Sequence, residues 1–266
     1  MKIIDLPEDR VGTYCKCLED WSNEFDDEGG HKRRWYEENR RKGLRVKVAE
    51  EDDGSLVGMI QYIPVEQAPV VGKDLYYIYC VWVHGYDKGV GNRQHSGLGK
   101  ALLHAAEEDV RALGAKGMVA WGLRIPVFMR SRWFKRQGYD VVDRDGMMEL
   151  VLKSFVPGAD KPRFIARGKA VEGGSDRVRL TSFMNGWCPA QNIVHERARR
   201  IATELPAQVE FQGRDTGDRE VLLEYGVADG LFMDGKAIRT GPPPSYEKLR
   251  KAVEKRIRKR GLAGRD

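Results

Sequence analysis

The chain has 266 residues, of which 41% are hydrophobic and 32% charged, with 30 glycines and 11 prolines. This composition excludes a collagen-like, low-complexity or disordered chain, and the length predicts roughly two domains. No apolar run reaches the ~18 residues that a membrane span requires, so we expect a soluble, cytoplasmic protein with no membrane partner.

Hydrophobic periodicity predicts mixed helices and strands over the first part of the chain. The predicted strands are Lys2–Asp5, Leu44–Ala49, Leu56–Ile63, Asp74–Val83, Met118–Leu123, Tyr139–Val142 and Met147–Leu152. The predicted helices are Arg10–Asp20, His31–Lys42, Leu98–Leu113 and Phe128–Arg136. The third of these helices is the clearest, because small and apolar residues share one side and Gly114 follows it.

A stretch rich in glycine, proline and charge predicts a linker over 157–176, between a domain over 1–156 and a second domain over 177–266. The second domain's predicted strands are Val178–Phe183, Gln208–Gln212, Gly230–Met233 and Ala237–Thr240, and its helices are Gln191–Leu205, Glu220–Tyr225 and a C-terminal helix. The order β-α-β-α-β-β-α predicts helices on a mixed sheet. The predicted fold class of the whole chain is therefore α/β, of the α+β type.

The net charge of +6 comes from one segment near the C-terminus. Residues 247–260 hold eight Lys or Arg and two Glu, so they account for the whole excess. Leu249, Val253 and Ile257 recur every four residues, which predicts an amphipathic helix with a solvated basic face. We therefore favour a structural role for this charge and do not expect a nucleic-acid partner.

The cysteines are Cys15, Cys17, Cys80 and Cys188, which are too few and too unevenly spaced for a disulfide framework. Cys15 and Cys17 lack a second pair at the spacing of a zinc site. We expect reduced thiols and no metal.

The segment Gln94-His95-Ser96-Gly97-Leu98-Gly99-Lys100-Ala101 joins the aromatic-rich strand to the alanine-rich helix. Glycine permits a tight turn, and the start of a helix offers unpaired N–H groups to an anion, so this loop predicts a pyrophosphate cradle. A P-loop would need Gly at position 94 and Ser or Thr at 101, and the spacing G-x-G-x-x-G of a dinucleotide fingerprint is also absent.

Two motifs together resemble the GNAT superfamily of acyl-CoA-dependent N-acetyltransferases. The first is Q-x-x-G-x-G after a strand ending Val81-Trp82-Val83, and the second is Trp133-Phe134-Lys135-Arg136-Gln137-Gly138-Tyr139. The resemblance implies the family's mixed sheet flanked by helices and acetyl-CoA as cofactor. It implies these cofactor-binding residues: Trp82, Val83, Gln94, His95, Ser96, Gly97, Leu98, Gly99, Lys100 and Ala101.

The chemistry implied by the resemblance is attack of an amine on a thioester, with a backbone N–H at Val83 or its neighbour polarising the carbonyl. Many relatives carry, at the position of Phe134, a tyrosine that protonates the leaving thiolate, and phenylalanine cannot do this. Tyr79 and His84 are the nearest titratable catalytic candidates, and either could equally be a packing residue.

The acidic loop that contains Glu24, Asp26 and Asp27 borders the acceptor pocket by its family position. Carboxylates there would favour a cationic amine substrate. The alternative is an ordinary solvated loop.

The segment Trp187-Cys188-Pro189-Ala190-Gln191 resembles the thioredoxin W-C-x-x-C site, with Gln191 in place of the second cysteine. The second domain is therefore similar to the degenerate thioredoxin-like domain of YoaP-type proteins. A helix N-terminus favours the thiolate of Cys188, which makes it a catalytic or regulatory candidate. A contact to substrate and a structural relic are the other interpretations.

These observations favour an acetyl-CoA-dependent N-acetyltransferase that acts on the amine of a small or amino-acid-like acceptor by direct attack. One alternative is a CoA-binding sensor without turnover, which Phe134 makes plausible. A second is a thiol-redox protein that uses Cys188. An oligomeric state cannot be derived from the sequence.

Overall fold

The computed structural model describes residues 1–19, 23–126, 128–238 and 243–262. Its strands are β1 (Lys2–Asp5), β2 (Arg45–Glu50), β3 (Leu56–Pro64), β4 (Val70–Val71), β5 (Tyr76–Val83), β6 (Gly117–Leu123), β7 (Asp140–Asp145), β8 (Met148–Ser154), β9 (Arg163–Phe164), β10 (Val178–Met184), β11 (Val209–Asp215), β12 (Gly230–Met233) and β13 (Lys236–Ile238). Its α-helices are α1 (Val11–Cys15), α2 (His31–Arg40), α3 (Leu98–Ala112), α4 (Ser131–Lys135), α5 (Pro189–Glu204), α6 (Arg219–Tyr225) and α7 (Tyr246–Lys259).

The chain divides into two compact units, and the division falls within α2. The first unit comprises Met1–Ser22 and Tyr36–Ile165, and the second comprises Asn23–Trp35 and Ala166–Asp266. Residues 23–35 therefore group with the C-terminal part of the chain, although the sequence places them inside the predicted domain 1–156.

Side-chain hydrogen bonds explain why this short segment groups with the second unit. The carboxylate of Glu28 accepts a hydrogen bond from Asn192 Nδ2 at 3.0 Å, and the indole of Trp35 donates one to Asn185 Oδ1 at 3.1 Å. Both bonds are buried, and a buried hydrogen bond is costly to leave unmade.

The first unit contains a seven-stranded sheet in the order β1-β2-β3-β5-β6-β8-β7. Its neighbours are antiparallel except for β5 and β6, which are parallel and are joined through α3. The helix buries Leu98, Leu102, Ala106 and Val110 in the same apolar core as β3, β5 and β6. This mixed sheet with packed helices confirms the predicted fold class.

Strand β3 lies in the middle of the sheet and is buried at every position from Leu56 to Ile63. Its pairing with β5 contains a bulge: Gln61 is opposite Cys80 and Tyr62 is opposite Ile78, so Tyr79 is the extra residue. A bulge inverts the alternation of side chains along a strand. Beyond Tyr79, each side chain of β5 therefore lies on the opposite face of the sheet from the one that strict alternation along the strand would give.

Helix α3 is fastened to the sheet by a carboxylate. Asp109 accepts hydrogen bonds from Arg45 Nη2 at 2.8 Å and from the hydroxyl of Tyr62 at 2.6 Å. Burial would raise the pKa of Asp109, but these hydrogen bonds outweigh it and lower the pKa below its usual value. The contacts fix the axis of α3, and with it the loop that begins the helix.

The second unit contains a four-stranded sheet in the order β11-β10-β12-β13, with β10 parallel to β11 and antiparallel to β12. The element order β-α-β-α-β-β-α is as predicted. Asp234 and Gly235 have φ of 48° and 76° and form the tight turn between β12 and β13.

The basic C-terminal segment forms α7, whose Leu249, Val253 and Ile257 are buried as predicted. Part of its charge is neutralised inside the unit, because Arg256 Nε donates to Asp234 Oδ2 at 2.7 Å. None of the described helices combines the length and the apolarity of a membrane span.

Two predicted helices were wrong in extent. The first helix ends at Cys15, because Cys17 and Leu18 adopt positive φ, and its predicted end at Asp20 lies outside the described residues. The helix predicted over Phe128–Arg136 is reduced to α4. The predicted linker contains β9, which pairs with β4, and the predicted strand end at Thr240 lies outside the described residues.

Close packing of α4 on β6 predicts a strong effect of one added methyl group. A Cβ at Gly122 would lie 2.7 Å from the backbone N and Cα of Ser131, whereas a Cβ at Gly12 meets nothing within 4 Å. We expect Gly122→Ala to lower the free energy of unfolding by about 1–3 kcal/mol. Gly12→Ala, the control, should leave it unchanged or raise it by up to ~1 kcal/mol. Denaturant titrations would measure both, and equal stabilities would contradict the packing described here.

Candidate active site

The strands β5 and β6 separate after three paired residues. Only Tyr76–Ile78 pair with Met118–Ala120, although both strands continue beyond this point. Along an antiparallel ladder, residues that bond to the partner alternate with residues that do not. Since the N–H of His84 donates to the carbonyl of Val57 in β3 at 2.9 Å, the N–H groups of Val81 and Val83 point away from β3 into the opening.

Two contacts hold this opening at its narrow end. The indole of Trp121 donates to the carbonyl of Tyr79 at 2.8 Å, and the sulfur of Met129 accepts from the N–H of Val81 at 3.5 Å. Because the N–H of Val81 already donates to Met129, the N–H of Val83 is the backbone donor at the wide end.

The loop before α3 presents a row of backbone donors. Gly97 is the N-cap with φ of 83°, and His95 also has a positive φ of 63°. Within the part of the chain that the structure describes, nothing accepts a hydrogen bond from the N–H groups of residues 95–99. With the helix dipole behind them, these five donors suit an anion such as a pyrophosphate.

A cavity of about 660 Å³ connects this loop with the opening between β5 and β6. Its described lining carries the positive side chains of Arg93, Lys100 and Arg130 and no carboxylate. Arg93 is held in place by Glu51, through Nε at 2.7 Å and Nη2 at 3.1 Å. The cavity therefore combines backbone donors, positive charge and an apolar channel along the sheet.

Most of the cofactor residues implied by the family resemblance line this cavity. The lining includes Trp82, Val83, Gln94, His95, Gly97, Leu98, Gly99 and Lys100. Ser96 and Ala101 are exposed instead: the Ser96 hydroxyl donates to the carbonyl of Arg93, and the Ala101 N–H donates to the carbonyl of Gly97.

The sequence reasoning did not assign Arg130, Met129, Phe128 or Trp133 to the site, although all four line the cavity. They reach it because α4 packs on β6 and β8, far from the loop in sequence. Phe134, singled out as a departure from the family pattern, also lines the cavity and is only 1% exposed.

The two catalytic candidates of the first unit are both buried. Tyr79 is the bulged residue, and its ring packs edge-on against Tyr77. His84 is fully buried, and its Nδ1 lies 2.9 Å from the carbonyl of Gly91. A carbonyl can only accept, so Nδ1 carries the proton and Nε2 is the basic nitrogen of the neutral ring.

The acidic residues expected at the acceptor pocket belong to the second unit. Asp26 and Asp27 line a different cavity, of about 490 Å³, together with arginines of α5, and are absent from the lining of the first one. The side chain of Glu24 lies outside the described residues.

Cys188 is the N-cap of α5 and is half-buried. Next to it in sequence, the indole of Trp187 donates to Asp229 Oδ2 at 2.9 Å, and the N–H of Asn185 donates to Asp229 Oδ1 at 3.0 Å. Burial raises the pKa of Asp229 to about 6 in spite of these two hydrogen bonds.

A cluster of His31, His195 and Glu196 was not anticipated from the sequence. Their potential ligand atoms lie within 4.8 Å of one another. His31 Nε2 is 2.7 Å from Glu196 Oε1, and its Nδ1 is 2.7 Å from Arg34 Nη2. Both nitrogens of His31 are thus used by protein groups, and the arrangement is explained as an ion-pair and hydrogen-bond network.

Comparison with known proteins agrees with the geometry of the first unit. The model of the acetyltransferase (GNAT) family matches residues 13–139, just under half of the chain. This span contains the loop, α3, α4 and the whole described lining of the larger cavity. It supports a GNAT acetyltransferase domain in this part of the chain. Among curated proteins, none matches the chain.

Several solved structures are similar to about three fifths of the chain. A GNAT family acetyltransferase from Brucella melitensis, in complex with acetyl-CoA, is 21% identical, with 59% of this chain and 88% of that one covered at a TM-score of 0.40. The PaiA N-acetyltransferase from Thermoplasma acidophilum, in complex with coenzyme A, is 17% identical, with coverages of 58% and 100% at 0.42. An aminoglycoside 6'-acetyltransferase type Ii is 17% identical, with 59% of this chain and 99% of that one covered at a TM-score of 0.44.

The neutral state of His195 predicts a pH dependence of stability. Burial lowers the pKa of His195 from 6.5 to about 4, and the neighbouring His31 adds to this effect. A histidine with a lowered pKa stabilises the fold above pH 6.5 and loses this contribution as the pH falls toward 4. Between pH 6.5 and 4, the free energy of unfolding of the unsubstituted protein should therefore fall by up to roughly 3 kcal/mol more than that of the His195→Gln variant.

Denaturant titrations between pH 4 and 7 would test this prediction. His104→Gln is the matched control, since His104 is exposed on α3. The same pH slope in all three proteins would contradict it.

Proposed function

We propose that the chain is an acetyl-CoA-dependent N-acetyltransferase, with the larger cavity of the first unit as its cofactor site. The observation that carries this proposal is the row of five N–H groups at residues 95–99, from which no described residue accepts a hydrogen bond and which opens into a positively lined cavity. The family match over residues 13–139 and the cofactors named for two of the similar structures support the same interpretation.

The residues present fit coenzyme A in both charge and shape. The loop donors and Lys100 would hold the pyrophosphate, because several N–H groups and one cation can share its negative charge. Gly99 leaves room beside it, since even a Cβ there would lie 3.4 Å from Trp133. The channel between Val83 and Trp133 would take the apolar part of the pantetheine arm.

Acetyl-CoA, when bound, supplies an acetyl group activated as a thioester. The N–H of Val83 points into the opening at the end of β5, where it would donate a hydrogen bond to the acetyl oxygen and stabilise negative charge on it. The walls of the opening would hold the amine nitrogen close to the carbonyl carbon. The amine nitrogen bonds to that carbon while the carbon–sulfur bond breaks, and the nitrogen loses a proton.

His84 is the better candidate for the base that receives this proton. It follows β5 directly, its ring lies 5.8 Å from that of Tyr86, and its basic nitrogen is Nε2. Tyr79 lies at the bulge, four positions before Val83, and is less suited to the role. Phe134 has no proton to give, so the departing thiolate would be protonated by another group.

For the second unit we propose a thioredoxin-like domain that accompanies the transferase. The strand order β11-β10-β12-β13 and the position of Cys188 at the start of α5 support this. Gln191 occupies the place of a second cysteine, so disulfide exchange through a cysteine pair is not part of the proposal.

Calorimetry with acetyl-CoA tests the cofactor site directly. Gly99→Leu would extend a side chain into the cavity, and we expect its Kd for acetyl-CoA to rise at least about tenfold because the ligand and the side chain cannot share that space. Ala112→Leu, at the exposed end of the same helix, is the control and should bind as before. Equal Kd values for both variants would contradict the site, and no binding by the unsubstituted protein would contradict the function.

A thiol-release assay with acetyl-CoA and a panel of amines separates a transferase from a sensor. Turnover with any amine supports the transferase. Tight binding of acetyl-CoA without release of thiol to any amine would support the CoA-binding sensor instead.

A further inference from the structure

Three aromatic side chains surround the wide end of the opening between β5 and β6. The centroid of the Trp82 ring lies 6.2 Å from that of Tyr86 and 6.1 Å from that of Phe128. Phe128 in turn lies 6.1 Å from Trp121. All four residues belong to the first unit.

These rings lie on the face of the sheet away from α3. Beyond the bulge at Tyr79, Val83 is on the α3 side, since its Cγ2 would be 3.8 Å from a Cβ at Gly99. Successive side chains alternate, so Trp82 and His84 point to the other face. The cofactor loop begins α3, and an acceptor would therefore approach from the aromatic side.

Two of the rings are exposed to an unusual degree for their size. Tyr86 is 47% exposed and Phe128 is 38% exposed, and they are among the few large apolar side chains at the surface. Grouped exposed aromatic rings are typical of ligand-binding surfaces.

The third ring carries an unused donor. Trp82 Nε1 is buried, and no described residue accepts its hydrogen bond. Trp82 also lines the larger cavity. A buried N–H without a partner is costly, so an acceptor atom supplied by a ligand would recover this loss.

Charge also bears on which amine would bind here. The described lining of this cavity contains no carboxylate, and the acidic residues Asp26 and Asp27 line the cavity of the second unit. An ammonium group would therefore meet aromatic faces instead of an ion-pair partner.

We propose that the acceptor is an alkyl amine that carries an aromatic ring and a carbonyl oxygen near its amino group, as in an amide of an aromatic amino acid. Its ring packs between Tyr86 and Phe128, and its carbonyl oxygen accepts the hydrogen bond from Trp82 Nε1. Trp82 thereby acts as a positioning and specificity-determining residue. This inference rests on the proposed function and specifies the class of its acceptor.

Three probes separate the two features of this site. Phenylalaninamide has both the ring and the oxygen, phenethylamine has the ring alone, and glycinamide has the oxygen alone. With acetyl-CoA saturating, we expect phenylalaninamide to have the highest kcat/KM, at least about tenfold above glycinamide. Binding of the same amines to the CoA-loaded protein, measured by calorimetry, should follow the same order.

Trp82→Phe keeps an aromatic ring and removes the donor. We expect it to lower kcat/KM for phenylalaninamide about tenfold more than for phenethylamine, through KM, because only phenylalaninamide has the oxygen that accepts the indole hydrogen bond. If Trp82 acted through packing alone, Trp82→Phe would lower kcat/KM equally for phenylalaninamide and phenethylamine. Val71→Ala, at an exposed position on β4, is the control and should change none of these values.

The two possible failures are distinguishable. If the protein does not bind acetyl-CoA, the proposed function fails and this inference with it. If acetyl-CoA binds but glycinamide has the same kcat/KM or the same affinity as phenylalaninamide, the aromatic acceptor site is wrong. The same conclusion follows if acetyl-CoA binds and none of the three probes binds. An equal loss of kcat/KM for phenylalaninamide and phenethylamine in Trp82→Phe would overturn the role of the indole donor.

Discussion

The separation of β5 from β6 is the constraint on which the rest of the first unit depends. Strands in a sheet use their N–H and C=O groups on each other, and a group released from this pairing must find another partner. Here the side chains of Trp121 and Met129 supply partners for the first released groups, the carbonyl of Tyr79 and the N–H of Val81. Beyond them, the N–H of Val83 faces the cavity.

The second requirement is a rigid start for α3. The loop before it crosses positive φ at His95 and Gly97, which turns successive N–H groups to one side. Asp109, further along the helix, accepts hydrogen bonds from Arg45 of β2 and Tyr62 of β3, and these bonds oppose rotation of the helix away from the opening. The loop before α3 and the opening are thus held in register by contacts that lie outside both. Preorganised donors of this kind bind and stabilise charge without rearranging.

Much of this arrangement could be predicted from the sequence because it depends on local patterns. Continuous or alternating apolar residues predicted the strands of both sheets. Gly97 and Gly99, at the start of an alanine-rich helix, predicted the backbone donors of the loop before α3. These features follow from φ preferences and from the burial of one face, which the sequence carries directly.

The remainder depends on contacts between distant segments. Arg130 and Trp133 reach the cavity only through the packing of α4, and β9 exists only because β4 pairs with it. The hydrogen bond of Glu28 to Asn192 spans 164 positions and takes residues 23–35 into the second unit. The bulge at Tyr79 decides which face Trp82 occupies, and a single extra residue in a strand leaves no periodic signal.

The missing side chain at Gly122 has a consequence for the width of the channel between Val83 and Trp133. It lets the first residue of α4 rest directly on β6, and α4 carries Trp133 and Phe134, which form the far wall of the channel. Gly122 is not among the described residues that line the cavity, yet it sets how near that wall stands. The width of the cavity therefore depends on a residue one layer behind its lining, where no lining side chain is altered.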